Sequence, residues 1–512
     1  ITINAGDVLL TNTFLGTTTL SSGFISGKGN GGDLEINANN LTLTEGAFIG
    51  SFVEEFGFGD AGNVTLNIQD SIFLEDQAQI ISSSVFNSVG DSGRIQINTG
   101  DLSLVDGSII ISSVFGDGDA GSIIVDARDS ITIDGAAGEF LPSAIASDVF
   151  TDATGQGGII NLTTAVLTVT NGGTITASTD GDGNAGSVTI NATESATFDG
   201  IGPFDRVSSV GVIADENTTG VAGTLTVETP FLQVLNGAEI TAETLGGTGT
   251  GGNLIIRADE LRLENQASLT AETVNTDGGN ITLDVGPLLL LRNGSEITAT
   301  AGENANFGNG GNIAINMPDG FIVAVLDEDS NIEANAFLGD GGNVNIVAQG
   351  LFGIEFQENS TLQSDITASS DFGLQGSVTI ETPDVDPSKD LATLPTDLVD
   401  ASRLVAQGCG DRDIATSLGE FTITGRGGLP PTPEQLTAQT SLAEWETLDT
   451  PEQVQSSAQP IDSELESRTI QQIEEFQGWI VNDRGDVVLT ADADTAIPRS
   501  PWQPAVQCRT QS

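Results

Sequence analysis

Residues 251–271 read Gly251-Gly252-Asn253-Leu254-Ile255-Ile256-Arg257-Ala258-Asp259-Glu260-Leu261-Arg262-Leu263-Glu264-Asn265-Gln266-Ala267-Ser268-Leu269-Thr270-Ala271, and most of the chain up to about residue 382 is a variation on them. Leu254, Ile256 and Ala258 alternate with polar neighbours, as do Leu261 and Leu263, and then Ala267, Leu269 and Ala271. A period of two places each set on one face of an extended segment, so the unit reads as three short strands. None is long enough to bury its apolar row alone. Stacked copies solve this, because the inward rows of successive turns merge into one core while each backbone pairs with the turns above and below it.

The repeat can be followed along the chain. A small residue and a Gly precede each alternating strand, with the Gly at 32, 62, 93, 121, 158, 186, 223, 252, 279, 311, 342 and 376. The mean spacing of about 31 residues lies inside the range of solenoid repeats. A closing signal keeps the same phase: Gly237-Ala238-Glu239-Ile240-Thr241-Ala242 and Gly294-Ser295-Glu296-Ile297-Thr298-Ala299 are near-copies, and Asp329-Ser330-Asn331-Ile332-Glu333-Ala334 is a looser one.

Alternating Val, Ile, Leu and Thr with abundant Gly favour β structure over a helical repeat. A propeller blade needs four strands and a longer period, so three strands in about 31 residues predict a parallel β-helix of about twelve turns. At the strand spacing of about 4.8 Å such a rod is roughly 55–60 Å long. Asn63, Asn253, Asn280, Asn312 and Asn343 share one place after Gly. They read either as rungs of a side-chain amide ladder or as ordinary turn residues.

Three regions follow: a repeat rod over residues 1–382, an acidic, Pro-containing linker or cap over 383–403, and a small α+β module over 404–512. In the last, residues 420–431 read as a strand ended by a Gly/Pro turn. A helix is expected over 433–448 with Thr432 as N-cap, a second near Ile470, Ile473 and Phe476, and a hairpin over 479–489. Two longer repeats carry insertions, at residues 138–142 and 200–206, which read as loops on a binding face or as locally widened turns.

Composition limits function. The 512 residues hold 72 acidic and 15 basic side chains, a net charge of −57, which repels nucleic acid and anionic lipid. There is no apolar run long enough to cross a bilayer, so no membrane insertion is expected. The sequence opens without a Met or signal peptide, inside a turn whose opening Gly pair is missing, and reads as part of a longer protein. Cys409 and Cys508 are either two buried thiols or a disulfide. An acidic β-solenoid suits an oxidising compartment, where closing that loop would stabilise by about 4–5 kcal/mol in the chain-entropy model.

The sequence contains no His, which excludes a His-based triad and His-ligated zinc, and two Cys exclude a four-Cys site. Carboxylate pairs of a glycosidase remain, with Glu54-Glu55 and Asp327-Glu328-Asp329 the densest in the rod. No catalytic residue is assigned, since pairs at such distances are expected among so many acids. Calcium is the better ligand candidate, at Asp117 and Asp119 in Gly116-Asp117-Gly118-Asp119 and at Asp180 and Asp182 in Asp180-Gly181-Asp182-Gly183. Neither segment has the EF-hand or nine-residue spacing, so no cofactor is required. Arg484-Gly485-Asp486 spells an adhesive tripeptide but reads as a hairpin turn.

The rod resembles the repeat region of filamentous-haemagglutinin-type exoproteins of two-partner secretion, particularly the large cyanobacterial ones of the S-layer family. The tail is the closer match, through Leu404-Val405-Ala406-Gln407-Gly408-Cys409, Phe421-Thr422-Ile423-Thr424-Gly425-Arg426-Gly427-Gly428-Leu429-Pro430-Pro431, Gly478-Trp479-Ile480-Val481-Asn482 and Cys508. The resemblance implies a right-handed coil, export through an outer-membrane β-barrel transporter that recognises an N-terminal domain not in this sequence, and a secreted or cell-surface rod. It predicts an adhesive or structural role toward glycans or cell-surface receptors; the alternative is a carbohydrate-active β-helix enzyme using acidic pairs.

Overall fold

The computed structural model describes residues 1–19, 27–137, 141–216, 218–246, 248–302, 307–383, 478–481 and 487–490. The chain divides into two compact units, Ile1–Leu394 and Pro395–Ser512. The first is a right-handed parallel β-solenoid of about twelve turns. Its strands form two parallel sheets, one of fourteen strands and one of thirteen, and each coil adds one long and one short strand.

The three strands expected per repeat are two in the structure, because the first pair is continuous. In Asn253–Glu264 the buried residues are Leu254, Ile256 and Ala258, then Leu261 and Leu263. The step from Ala258 to Leu261 is three instead of two. One extra residue in the alternation turns the corner while the backbone stays in the ladder, as a bulge does, and a register shift recurs at this point in neighbouring coils. The buried side chain at the bend is often small, as at Ala38, Ala127, Ala192, Ala258 and Ala348, because the corner leaves little interior space.

Residues stack in register from coil to coil. Leu34, Val64 and Ile95 form one inward column that further along contains Leu254, Ile281 and Ile313. The short strands supply the facing column, with Ile49, Ile80 and Ile110 at one end and Ile240, Leu269 and Ile297 further on. These belong to a single core from Leu34 to Ala368. Ala267, Leu269 and Ala271 are fully buried, as the alternation requires.

The repeated glycine has a steric cause. A Cβ on Gly62, Gly121, Gly252 or Gly342 would run into the carbonyl oxygen of Gly32, Gly93, Gly223 or Gly311 in the preceding coil. The closing signal has a different cause. Asn236-Gly237 and Asn293-Gly294 both have positive φ at both residues (55° and 80°, 54° and 72°), a reversal that Asn and Gly adopt cheaply.

Polar residues also enter the interior. Ser82, Ser112 and Ser147 are buried one coil apart; the Ser82 and Ser147 hydroxyls donate to the carbonyls of Gly62 (2.7 Å) and Gly121 (2.6 Å), and Ser112 does the same to Gly93. From Ala177 onward this column is apolar, through Val212, Ala242 and Ala271. Outside, the Asn280 amide donates to Asn253 Oδ1 at 2.9 Å, Asn312 to Asn280 at 2.8 Å and Asn343 to Asn312 at 2.8 Å, and the Ser377 hydroxyl closes this ladder at 2.7 Å. Asn63 occupies the same column and donates to Asp33 of the preceding coil, but Arg94 follows it in the next coil and offers only its backbone N–H, so no amide ladder continues there.

Where the long strand ends, isolated antiparallel bridges flank the insertions, Ala136 to Pro142 and Ile201 to Val207. Ile201 lies close to Gly237 of the next coil, while both Ile201 and Phe204 keep much of their surface exposed. In the second unit, Gly478–Val481 and Val487–Thr490 pair antiparallel, with Trp479 opposite Leu489, as expected for the hairpin strands. Cys409, Cys508, the two expected helices, the strand over 420–431, the linker beyond residue 383 and Arg484-Gly485-Asp486 lie outside the described residues. Among the described residues no helix is long and apolar enough to cross a membrane.

Gly252→Ala is expected to lose about 1–3 kcal/mol in urea unfolding, the usual cost of overpacking. Gly6→Ala, where an added Cβ meets nothing within 4 Å, should change stability by less than about 0.5 kcal/mol. Equal effects at the two positions would refute the steric account.

Candidate functional site

In the three-residue short strands the central side chain points into the core and its two neighbours lie on the opposite face, where they stack in parallel rows that are themselves partly buried, as at Thr241, Ser268, Thr270 and Thr298. Glu239, Ser268 and Glu296 stack in register in one row, and Thr241, Thr270, Thr298 and Glu333 in the next. Glu243 and Asp148 lie just past the short strands of their own coils, with Asp180 and Asp215 beyond. This face concentrates the carboxyl groups whose ionisation is disfavoured.

Asp148 is pushed up to about 6, mainly by burial, although Ser178 N–H (2.7 Å) and the Thr176 hydroxyl (2.9 Å) both donate to its carboxylate. Asp180 also rises to about 6, first through burial and then through the neighbouring Asp215. Burial raises Glu239, Glu296 and Glu333, with further pressure on Glu239 from Glu243 and on Glu296 from Glu333, Glu239 and Glu243. A face built this way takes up protons on mild acidification and presents neutral carboxyls able to donate a hydrogen bond.

The four aspartates proposed for calcium are spread over the corner. Asp117 accepts the Thr154 hydroxyl at 3.0 Å, and Thr154 in turn bridges to Asp182, so these two aspartates are two coils apart. Asp119 belongs to another column. There Asp91 N–H donates to Asp60 at 3.1 Å, Asp119 N–H to Asp91 at 2.8 Å and Gln156 N–H to Asp119 at 2.8 Å. Each of these carboxylates is thereby held by the backbone of the next coil. Asp180 stands on the acidic face beside Asp215. Among the described residues no three acidic or Cys side chains are grouped to hold a metal ion.

The two acidic clusters read as glycosidase pairs have other partners. Glu328 accepts two bonds from the Arg292 guanidinium, at 2.6 and 2.8 Å, which lower its pKa. Asp327 accepts the Gln363 amide, and Asp329 ends the short 3-10 turn in a left-handed conformation. Glu54 accepts the Thr18 hydroxyl and Glu55 the Asn87 amide. The acids with raised pKa lie elsewhere, and of them the sequence singles out only Asp180, as a calcium candidate. Alternation was the usable signal, since Glu-Ile-Thr-Ala-Glu at 239–243 places both Glu on one face.

Aromatic rows were also not anticipated. Phe115 and Phe150 stack at 4.1 Å between ring centres, Phe86 extends the row at 5.3 Å, and Phe337 meets Phe372 at 5.1 Å at the far end. No protein-family model matches the sequence, and no curated protein is similar to it. The fold and these surfaces define a parallel β-helix with periodic outer rows.

The sign of the pH effect follows from linkage. Asp148 titrates near 3.8 in the ordinary state and near 6 when folded, so the native chain binds the extra proton between those values. Its contribution to stability is fully present below that window and is lost as pH rises through it. Asp148→Asn is therefore expected to raise Tm at about pH 7.5 and to leave it unchanged near pH 3.5; a lower Tm at the higher pH would contradict the assignment.

Proposed function

We propose that this chain is the rod and C-terminal portion of a structural and adhesive protein of the filamentous haemagglutinin type. In this reading it is exported by two-partner secretion through an outer-membrane β-barrel transporter and acts outside a Gram-negative-type cell. The observation that carries it is the register, which runs through the long sheet from Thr2 to Glu381. Side chains stacked this way recur once per coil, so a weak contact made by one coil is offered again by the next. Such contacts gain strength by avidity without any single strong site. The tail motifs that resemble this class support the same reading.

The raised carboxyls at Asp148 and Asp180 favour one alternative, a carbohydrate-active β-helix using one of them as a proton donor. Two assays separate the readings. Beads carrying many copies of the chain should adhere to cell surfaces or glycan films far more strongly than the soluble chain binds. Depolymerisation of a polysaccharide that Asp148→Asn or Asp180→Asn abolishes would replace the adhesive reading with the enzymatic one.

A further inference from the structure

The bend of the long strands is concave on its outer side and holds two shallow, open pockets, of about 690 and 610 Å³. Both lie on one register column. In the first, the column is Asn4, Asn37, Asn67 and Asn98; in the second it includes Glu228, Arg257 and Asp284, and the strand pairing joins the two without a break. The column that both share follows the solenoid axis along the concave side of the bend.

Its lining is of two kinds. The Asn37 amide donates to Asn4 at 3.0 Å, Asn67 to Asn37 at 2.8 Å and Asn98 to Asn67 at 2.9 Å, a second amide ladder. Each ladder bond uses one N–H and one lone pair, so Asn67 and Asn98 keep a further N–H for a ligand. Arg128 reaches back two coils to the Gln69 carbonyl at 2.8 Å and lays a guanidinium along the rim. Ala38 and Ile68 border the same cavity, but their side chains are buried in the core and add little apolar surface to it.

We infer that this groove binds a linear, uncharged polysaccharide laid along the rod axis, with about one sugar to each coil. The inference rests on the adhesive reading and names its ligand class. Amide rungs recur at the strand spacing of about 4.8 Å, close to the length of one pyranose ring with its linkage in an extended β-linked chain. An extended peptide rises about 3.3 Å per residue and falls out of step with the rungs. Convergent amides at this spacing suit the hydroxyls of an uncharged sugar. The net charge of −57 repels polyuronates and sulfated glycans, which selects the uncharged class.

The test is calorimetric titration of the full chain with cellohexaose and chitohexaose, with hexagalacturonate and maltohexaose as contrasts. Asn39→Trp fills the first cavity from an exposed position, and Arg128→Ala removes the rim cation without entering the core; circular dichroism checks that both fold. Binding of cellohexaose or chitohexaose weakened at least about tenfold by either folded variant, with little binding of the contrasts, supports the groove. Absence of binding by both probes, equal binding of hexagalacturonate, or indifference to both variants overturns it. Bead adhesion separates the two claims. Adhesion that persists with no oligosaccharide binding sinks the groove and leaves the adhesive reading, whereas groove binding without adhesion sinks the adhesive reading and leaves the groove.

Discussion

At the corner before most of the long strands, glycine lies directly over glycine of the preceding coil. There the carbonyl of one coil occupies the space where a Cβ of the next would be, as at Gly121 over Gly93 and Gly342 over Gly311. That approach locks the phase of each coil to its neighbour. Once the phase is locked, parallel pairing continues along the strand, and a residue is placed over its counterpart about one repeat away. The apolar columns, the Asn ladders and the buried serines all depend on this register. A solenoid of this kind has no separate core to fall back on, so a fault at one corner propagates to the coils on either side.

In-register stacking has an electrostatic cost, since it places like side chains about 4.8 Å apart along the axis. A chain with 72 acidic residues meets that cost repeatedly. Three remedies are visible. At the corner, Asp60, Asp91 and Asp119 are held by backbone N–H groups of the following coil. Elsewhere amides replace carboxylates, as in the ladder from Asn253 to Asn343. On the outer face of the short sheet neither remedy suffices, and burial together with neighbouring charge moves the carboxyls toward neutrality. The same packing that builds the rod therefore creates its proton-sensitive face.

Much of the fold was legible because solenoid physics is local. Period-two alternation identified Leu254, Ile256, Leu261 and Leu269 as inward residues, and the glycine spacing located each coil. The bend within Asn253–Glu264 was read as a break between strands, because a three-residue step in an apolar pattern looks the same whether the chain loops or turns a continuous corner. The amide ladder was anticipated at Asn253, Asn280, Asn312 and Asn343, yet at Asn63 it does not form, since the residues in register on either side are Asp33 and Arg94 and a ladder needs an amide in the adjacent coil.

The surfaces were much less legible than the core. Sequence density drew attention to Asp327-Glu328-Asp329, where Arg292 holds Glu328 ionised, and away from Asp148, isolated in the sequence and raised by burial. The column Asn4, Asn37, Asn67 and Asn98 is likewise scattered along the chain. By itself the sequence determined the repeat, the inward rows and the acidity, because each follows from spacing or composition. Only the tertiary structure decided which acids repel one another, which amides join and where the outer wall turns concave, because those depend on neighbours about thirty residues distant that are brought within a strand spacing by the coil.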